Sequence, residues 1–343
     1  MTAVAVQLRR PRVAVLGSGS WGTTVASIGA RSAATTIWAR SPEVASEINE
    51  SHTNSRYLGD IPLHPSLQAT ADLQAAAEGA DVLVMGVPSH AFRRVLCDAA
   101  PYLRPWIPVV SLVKGLEQGT DDRMSQIVAE VLPGFPAGIL AGPTIASEVA
   151  NGYAAAATIA MPDQNSAGQL AELFRTSRFR VYSTTDVIGV EIAGALKNVY
   201  AIAAGMADGV GAGFNTKAMV MTRSLRELTR LGEALGGHRD TFAGLAGMGD
   251  LTVTCMSPLS RNRHVGEGLG RGQTLGDVLA GMTQVAEGVK ATPVAVKLGA
   301  EVGVDVPIAH EVHAVLKGEA TVADAYRGLT RRPPGHEIHG EGW

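Results

Sequence analysis

Cysteine is scarce: 343 residues include two, Cys97 and Cys255. Two thiols cannot supply a disulfide framework or a four-thiolate metal centre, so a reduced, cytoplasmic setting is expected. Charge of one sign is missing as well. With 29 Lys and Arg against 32 Asp and Glu, the formal net charge is -3, and nothing in bulk charge points to nucleic acid or an anionic membrane surface. The start, MTAVAVQLRRPRVAV, lacks a long apolar stretch followed by a small-residue cleavage site, and no later run reaches about 18 uninterrupted apolar residues. Neither export nor a membrane span is expected. Metal-ligand spacing is also wanting. HEVH at 310–313 and HEIH at 336–339 set their histidines three apart rather than four, with no third ligand apparent, so no metal is assigned. No repeat of fixed period is visible.

What is present is a globular composition, 46% hydrophobic and 18% charged, in a chain long enough for two domains. Short apolar runs at 12–16, 35–38, 81–87, 107–113, 138–142, 154–160 and 179–182 read as strands. They are unbroken rather than alternating, as in a parallel sheet covered on both faces. From about residue 187 helical periodicity takes over, at 190–208, 216–235, 274–279, 293–301 and 309–316. The expected division is an extension at 1–11, a dinucleotide-binding domain at 12–187, a helical substrate domain at 188–328 and a tail at 329–343.

The first chemical signal follows the first strand. Gly17, Gly19 and Gly22 form G-x-G-x-x-G, with Ser20 and Trp21 inside it, at the start of a helix. The first glycine permits a tight turn, the second lets a pyrophosphate approach the backbone, and the third lets helix and strand pack closely. After the second strand, where an acid commonly holds the ribose of NAD, stands Arg40. An arginine there is compatible with the 2'-phosphate of NADP, and a solvated surface arginine is the competing reading. VPSH at 87–90 and VKG at 113–115 lie at strand ends, where open sheets bind ligands. Lys114 is thus either an anion or carbonyl contact or a solvated lysine. In AGPT at 141–144, Thr144 offers a hydroxyl ahead of a possible helix start with Ala146 in its first turn; capping is the simpler reading.

The segment VEIAGALKNVYAIAAGMAD at 190–208 is apolar on nearly every side yet carries Lys197. Its helical neighbours Val190, Ala193, Gly194, Tyr200, Ala201 and Ala204 are mostly small, so something must fill the space beside the lysine. A buried amine is costly unless paired or neutralised, and one with a lowered pKa suits proton transfer to an alcohol oxygen. Glycines around Asp250 point to a tight turn that fixes a carboxylate, either to orient a lysine or to accept a substrate hydroxyl. Ser260, Arg261 and Asn262 read as a helix beginning, capped by Ser257 or Ser260, and as a phosphate site; a structural cap competes. Glu287 carries no independent chemical signal.

Taken in order, GSGSWGT, VPSH, VKGLE, AGPT, EIAGALKNVYAIAAGMADG, GMGDLTVTC and SRNR resemble the bacterial NAD(P)-dependent glycerol-3-phosphate dehydrogenase family, from about Arg12 to about Gly318. The resemblance implies a Rossmann-type doubly wound α/β sheet followed by an all-helical C-terminal domain of the 6-phosphogluconate dehydrogenase-like kind. It implies reversible reduction of dihydroxyacetone phosphate to sn-glycerol 3-phosphate for phospholipid synthesis, with NADP or NAD as cofactor and NADPH preferred. By the family pattern Lys197 is the proton donor and acceptor. Lys114, Gly142, Thr144, Asp250, Ser260, Arg261 and Asn262 match substrate contacts; Ser20, Trp21, Arg40, Lys114, Ala146, Arg261, Val285 and Glu287 match cofactor contacts. A homodimer is expected by fold analogy. Ketopantoate reductases and β-hydroxyacid dehydrogenases share this architecture, but a substrate without phosphate has less use for SRN. An idle nucleotide-binding protein would be expected to have lost the lysine or the phosphate site.

Overall fold

The computed structural model describes residues 10–282 and 286–331. They fall into two compact units. The first runs to Val113 and adds Met124–Leu140 and Thr144–Thr185; the second takes Lys114–Arg123, Ala141–Pro143 and the chain from Asp186 onward.

The first unit carries an eight-stranded sheet of β1 (Arg12–Leu16), β2 (Ala34–Trp38), β3 (Gln68–Thr70), β4 (Val82–Met85), β5 (Val109–Ser111), β6 (Ala137–Ala141), β7 (Ala155–Ala160) and β8 (Phe179–Thr184). Its order is β3-β2-β1-β4-β5-β6-β7-β8. The pairs β1–β2, β1–β4, β2–β3, β4–β5, β5–β6 and β7–β8 are parallel. The unbroken apolar runs feed two cores. Val13, Val15, Val82 and Val84 join Ile37 and Phe174 in one, while Ala14, Leu16, Leu83 and Met85 join Phe92 and Leu96 in the other. Alternate residues of one strand serve opposite faces, so neither set can be polar. The strand order reverses direction beside β1 and β4, the point where such sheets bind dinucleotides.

Sterics account for two glycines of the turn that follows β1. Gly17 has φ +117, and a Cβ there would stand 2.7 Å from the Gly86 carbonyl carbon; one on Gly22 would meet the Gly17 carbonyl oxygen at 2.2 Å. Both fit the roles read from the motif, tight turn and close helix–strand packing.

The second unit is helical and centres on Val187–Gly209, in which every residue from Gly189 to Ala207 except Ala203 is buried. This helix is long and apolar enough to cross a membrane, but 89% of its most apolar window is buried inside the protein, as in a core helix. Asp186 caps it, accepting from the Gly189 N–H at 2.8 Å, and ties in the neighbouring segment by accepting from His238 N–H and the Thr241 hydroxyl. The other expected helices appear as Phe214–Ala234, Leu275–Ala280, Glu287–Glu301 and Pro307–Lys317. Pro293 lies inside its helix rather than at its start. Val322–Arg331 is a helix the sequence reading did not anticipate.

Glycines set how closely Arg261–Gly270 crosses the core helix. A Cβ on Gly266 would lie 1.9 Å from the Ile202 carbonyl oxygen, and one on Gly205 would lie 2.0 Å from that of Arg263. Backbone cannot move aside as a flexible side chain can, so a methyl group must push the helices apart. Gly266→Ala should destabilise the protein by about 3 kcal/mol. The urea midpoint of unfolding measures this, and an unchanged midpoint would refute the close crossing.

Candidate active site

Lys197 lies in the middle of the core helix with its side chain 5% exposed, and its ammonium is 3.0 Å from Asp250 Oδ1. It also donates to Thr254 Oγ1 at 2.5 Å. The Thr254 hydroxyl in turn donates to the Asp250 carbonyl at 2.6 Å. An ammonium has three donors, so these partners leave one for a ligand.

The second oxygen of the same carboxylate serves another lysine: Lys114 Nζ is 2.9 Å from Asp250 Oδ2 and donates to the Gly142 carbonyl at 2.8 Å. Gly142 presents that carbonyl from a φ of +139, which favours glycine. Lys114 also fills space on the small-residue face of the core helix, where a Cβ on Gly194 would contact Lys114 Cγ at 3.6 Å. Two ammonium groups therefore share one carboxylate that is itself 2% exposed. The local excess of positive charge suits an oxygen that gains negative charge.

Burial, reinforced by the Lys197 charge, pushes the Lys114 pKa down to about 8, against the opposing pull of Asp250. Lys114 is then charged below about pH 8 and neutral above it. If its charge is needed to receive an anionic substrate, kcat/KM should fall as pH rises through about 8, because this parameter reports the free enzyme. Lys114→Arg keeps the charge and should remove that alkaline limb, though at lower activity since a guanidinium does not reproduce the ammonium's geometry. An identical limb in both proteins would assign it to another group.

Asp250 reaches its position differently from the expected tight turn. Leu245–Gly249 form one turn of π-helix, and Asp250 is the first residue of Asp250–Met256. Gly247 permits this winding, since a Cβ there would lie 2.1 Å from the Phe242 carbonyl oxygen. The spacing from 250 to 254 then places Thr254 on the same helix face as Asp250. Thr254 was not singled out from the sequence; that spacing was the available signal.

Asn198, also passed over, opens a relay through buried amides. Its Nδ2 donates to the Lys114 carbonyl at 3.2 Å, and its Oδ1 accepts from Asn262 Nδ2 at 2.9 Å. Asn262 Oδ1 accepts from the Gly288 N–H at 2.8 Å. The amide of Asn262 is thus engaged in fixing the start of Glu287–Glu301, beside Glu287. Ser260, not Ser257, caps Arg261–Gly270, accepting from the Arg263 N–H at 3.3 Å. Arg261 is exposed at the first position of that helix, and its guanidinium interacts with the Glu287 carboxylate.

The remaining candidates lie in the first unit. A Cβ on Gly19 would meet nothing within 4 Å, so the turn has open space where a pyrophosphate would approach. Gly19 precedes the helix Ser20–Gly29, whose start has no side-chain cap and no acidic residue in its first turn. These features suit a phosphate group. Ser20 donates its hydroxyl to the Tyr57 carbonyl at 3.1 Å. The Trp21 ring packs edge-on against Phe179, with centroids 6.1 Å apart. Thr24, in the same helix, donates to the carbonyl of Ala146 at 3.3 Å, which brings Ala146 beside it. Thr144 does not cap Ala146–Ala150. Ile145 holds the capping position without a side-chain bond, because the helix begins one residue later than a threonine cap requires. Arg40 is exposed two residues beyond β2. Val285 lies outside the described residues.

Family models for the N-terminus and the C-terminus of NAD-dependent glycerol-3-phosphate dehydrogenase match residues 12–167 and 186–327. The chain belongs to this family. Proteins named glycerol-3-phosphate dehydrogenase, NAD(P)+, from Mycobacterium avium and Mycobacterium tuberculosis are 63% and 61% identical to it over 341 residues, which cover 99% of this chain and 100% of each relative. A crystal structure of glycerol-3-phosphate dehydrogenase from Coxiella burnetii is similar at a TM-score of 0.87 and 34% identity, covering 94% of this chain and 99% of that one. A ketopantoate reductase from Ralstonia eutropha, at a TM-score of 0.57 and 17% identity, shares the fold alone.

Proposed function

We propose that this member of the glycerol-3-phosphate dehydrogenase family reversibly reduces dihydroxyacetone phosphate to sn-glycerol 3-phosphate, with Lys197 as general acid and base. The observation that carries this reading is the Lys197–Asp250–Lys114 cluster, in which a buried ammonium keeps one donor uncommitted. The Gly17–Gly22 turn would hold a reduced nicotinamide dinucleotide, which would supply a hydride for the ketone carbon C2. The C2 oxygen gains negative charge as that bond forms, and Lys197 stabilises it and delivers the proton. In the reverse direction the neutral amine takes the proton back. Asp250 orients both amines and Thr254 fixes the approach of Lys197. Lys114 adds a second positive charge on the substrate side. The start of Arg261–Gly270, with Arg261 and Ser260, supplies donors and positive charge for the phosphate.

The Gly17–Gly22 turn fits a dinucleotide, and exposed Arg40 favours NADPH through its 2'-phosphate. The product is the backbone of glycerophospholipids, and the reading places the enzyme in the cytoplasm as a homodimer. The test is the loss of reduced-nicotinamide absorbance on adding dihydroxyacetone phosphate, run in parallel with NADPH and NADH. Oxidation that requires this substrate supports the reading, and faster oxidation of NADPH supports the role of Arg40. Activity with ketopantoate and none with dihydroxyacetone phosphate would overturn it.

A further inference from the structure

The turn between β1 and the helix Ser20–Gly29 is held by a side chain that lies outside the glycine motif. Asn54 stands 36 residues beyond Ser18 in sequence and is fully buried. Its Nδ2 donates to the Ser18 carbonyl and to Thr23 Oγ1, each at 2.9 Å. A carbonyl can only accept, so the Ser18 partner fixes which way the amide faces. The buried Oδ1 has no hydrogen-bond partner among the described residues, an arrangement that stability alone disfavours.

Asn54 is itself tied down. Its carbonyl accepts from the Tyr57 and Leu58 N–H groups at 3.0 and 2.8 Å, which winds Ser55–Leu58 into a helical turn. The Glu47 carboxylate accepts from the residues on either side of Asn54, the Thr53 hydroxyl at 2.9 Å and the Ser55 N–H at 2.6 Å. Tyr57 then returns to the glycine turn, its carbonyl accepting from Ser20. Ser18 and Ser20 are therefore anchored to one short segment, and Gly19 sits between the two anchors.

A peptide is planar, and in the trans form its C=O and N–H point in opposite directions. The Ser18–Gly19 peptide is trans. Drawing the Ser18 carbonyl onto Asn54 thus turns the Gly19 N–H away from Asn54. That N–H bonds to no other backbone group among the described residues, and Gly19 is the residue of the turn with open space beside it. Without the amide this peptide is free to flip, because glycine tolerates either orientation. A flipped peptide would offer a carbonyl oxygen to a phosphate in place of a donor.

We infer that Asn54 is a positioning residue for the dinucleotide, locking the Ser18–Gly19 peptide with its N–H presented to the pyrophosphate. The inference rests on the dinucleotide reading above and adds to it a residue from beyond the motif.

Calorimetric titration of the full chain with NADPH tests it without turnover. Asn54→Leu keeps the branched shape and removes the donor, while Asn54→Ala removes the donor and leaves room for water. In both, Kd should rise about tenfold or more, the loss of one charge-assisted hydrogen bond. In turnover the loss should fall on the KM for NADPH rather than on kcat. Phe174→Leu, a truncation in the core of the same unit, lowers stability without touching the turn and should leave Kd unchanged. A parent that binds neither NADPH nor NADH would overturn the dinucleotide reading and the inference together. A parent that binds, with both Asn54 variants equal to it, would overturn the inference alone. So would a loss confined to kcat, or a Kd that rises as far in Phe174→Leu, because affinity would then follow stability.

Discussion

A Lys197→Met enzyme is expected to bind reduced nicotinamide as tightly as the parent while reducing dihydroxyacetone phosphate about 10³-fold more slowly or worse. Two losses combine. Removing the proton donor costs about 10²–10⁴ in rate, and the developing oxyanion loses a charged partner in a site largely closed to water. Methionine matches the length of the lysine stem and is apolar, so the packing around the 5% exposed side chain should be kept. Nucleotide binding, which the proposal assigns to the Gly17–Gly22 turn of the first unit, should not change. A structural role alone would give the opposite pattern, with lower stability, nucleotide binding and turnover falling together. Added small alkylamines should restore part of the lost kcat, as no general stabiliser would. Full turnover in Lys197→Met would end the case for Lys197 as acid.

Much of the first unit was legible because a covered parallel sheet writes itself as uninterrupted apolar runs. β1 was readable to the residue, as Arg12–Leu16. β3 was not, since Gln68–Thr70 is three residues long with no buried member, and an edge strand of that kind leaves no hydrophobic pattern. The core helix was legible from its all-round apolarity, and Lys197 was conspicuous because it broke it. Its partners were harder to read. Lys114 sits at the end of the run that forms β5, so position alone assigned it to the sheet, yet it belongs with the helical unit. Its link to Asp250 joins distant parts of the sequence, and no local pattern records such a pairing. The glycines before Asp250 mark a tight winding, but a π-turn and a loop turn draw on the same residue, which explains why the turn was expected and a helix start was found.

Asp250→Asn should be the most damaging isosteric change in the protein. Asparagine fills the same volume but brings no negative charge, so the two amines are left facing each other in a buried site without their anion. Breaking a buried ion pair from one side costs about 3–5 kcal/mol, and here one carboxylate serves two cations. Like-charge repulsion can be relieved only by loss of a proton. Asp250 holds the Lys114 pKa up, while burial and Lys197 push it down, so without the carboxylate that value should drop below about 8. The sign is therefore fixed: the alkaline limb of kcat/KM should move to lower pH. With no charge to orient it, Lys197 keeps Thr254 as its described partner, and turnover should fall by about 10² at neutral pH. The decisive pair of measurements is the pH profile of kcat/KM and the urea midpoint. An unmoved limb together with a parent-like midpoint would show that the carboxylate does not couple the two lysines, and the proposed acid would need another means of orientation.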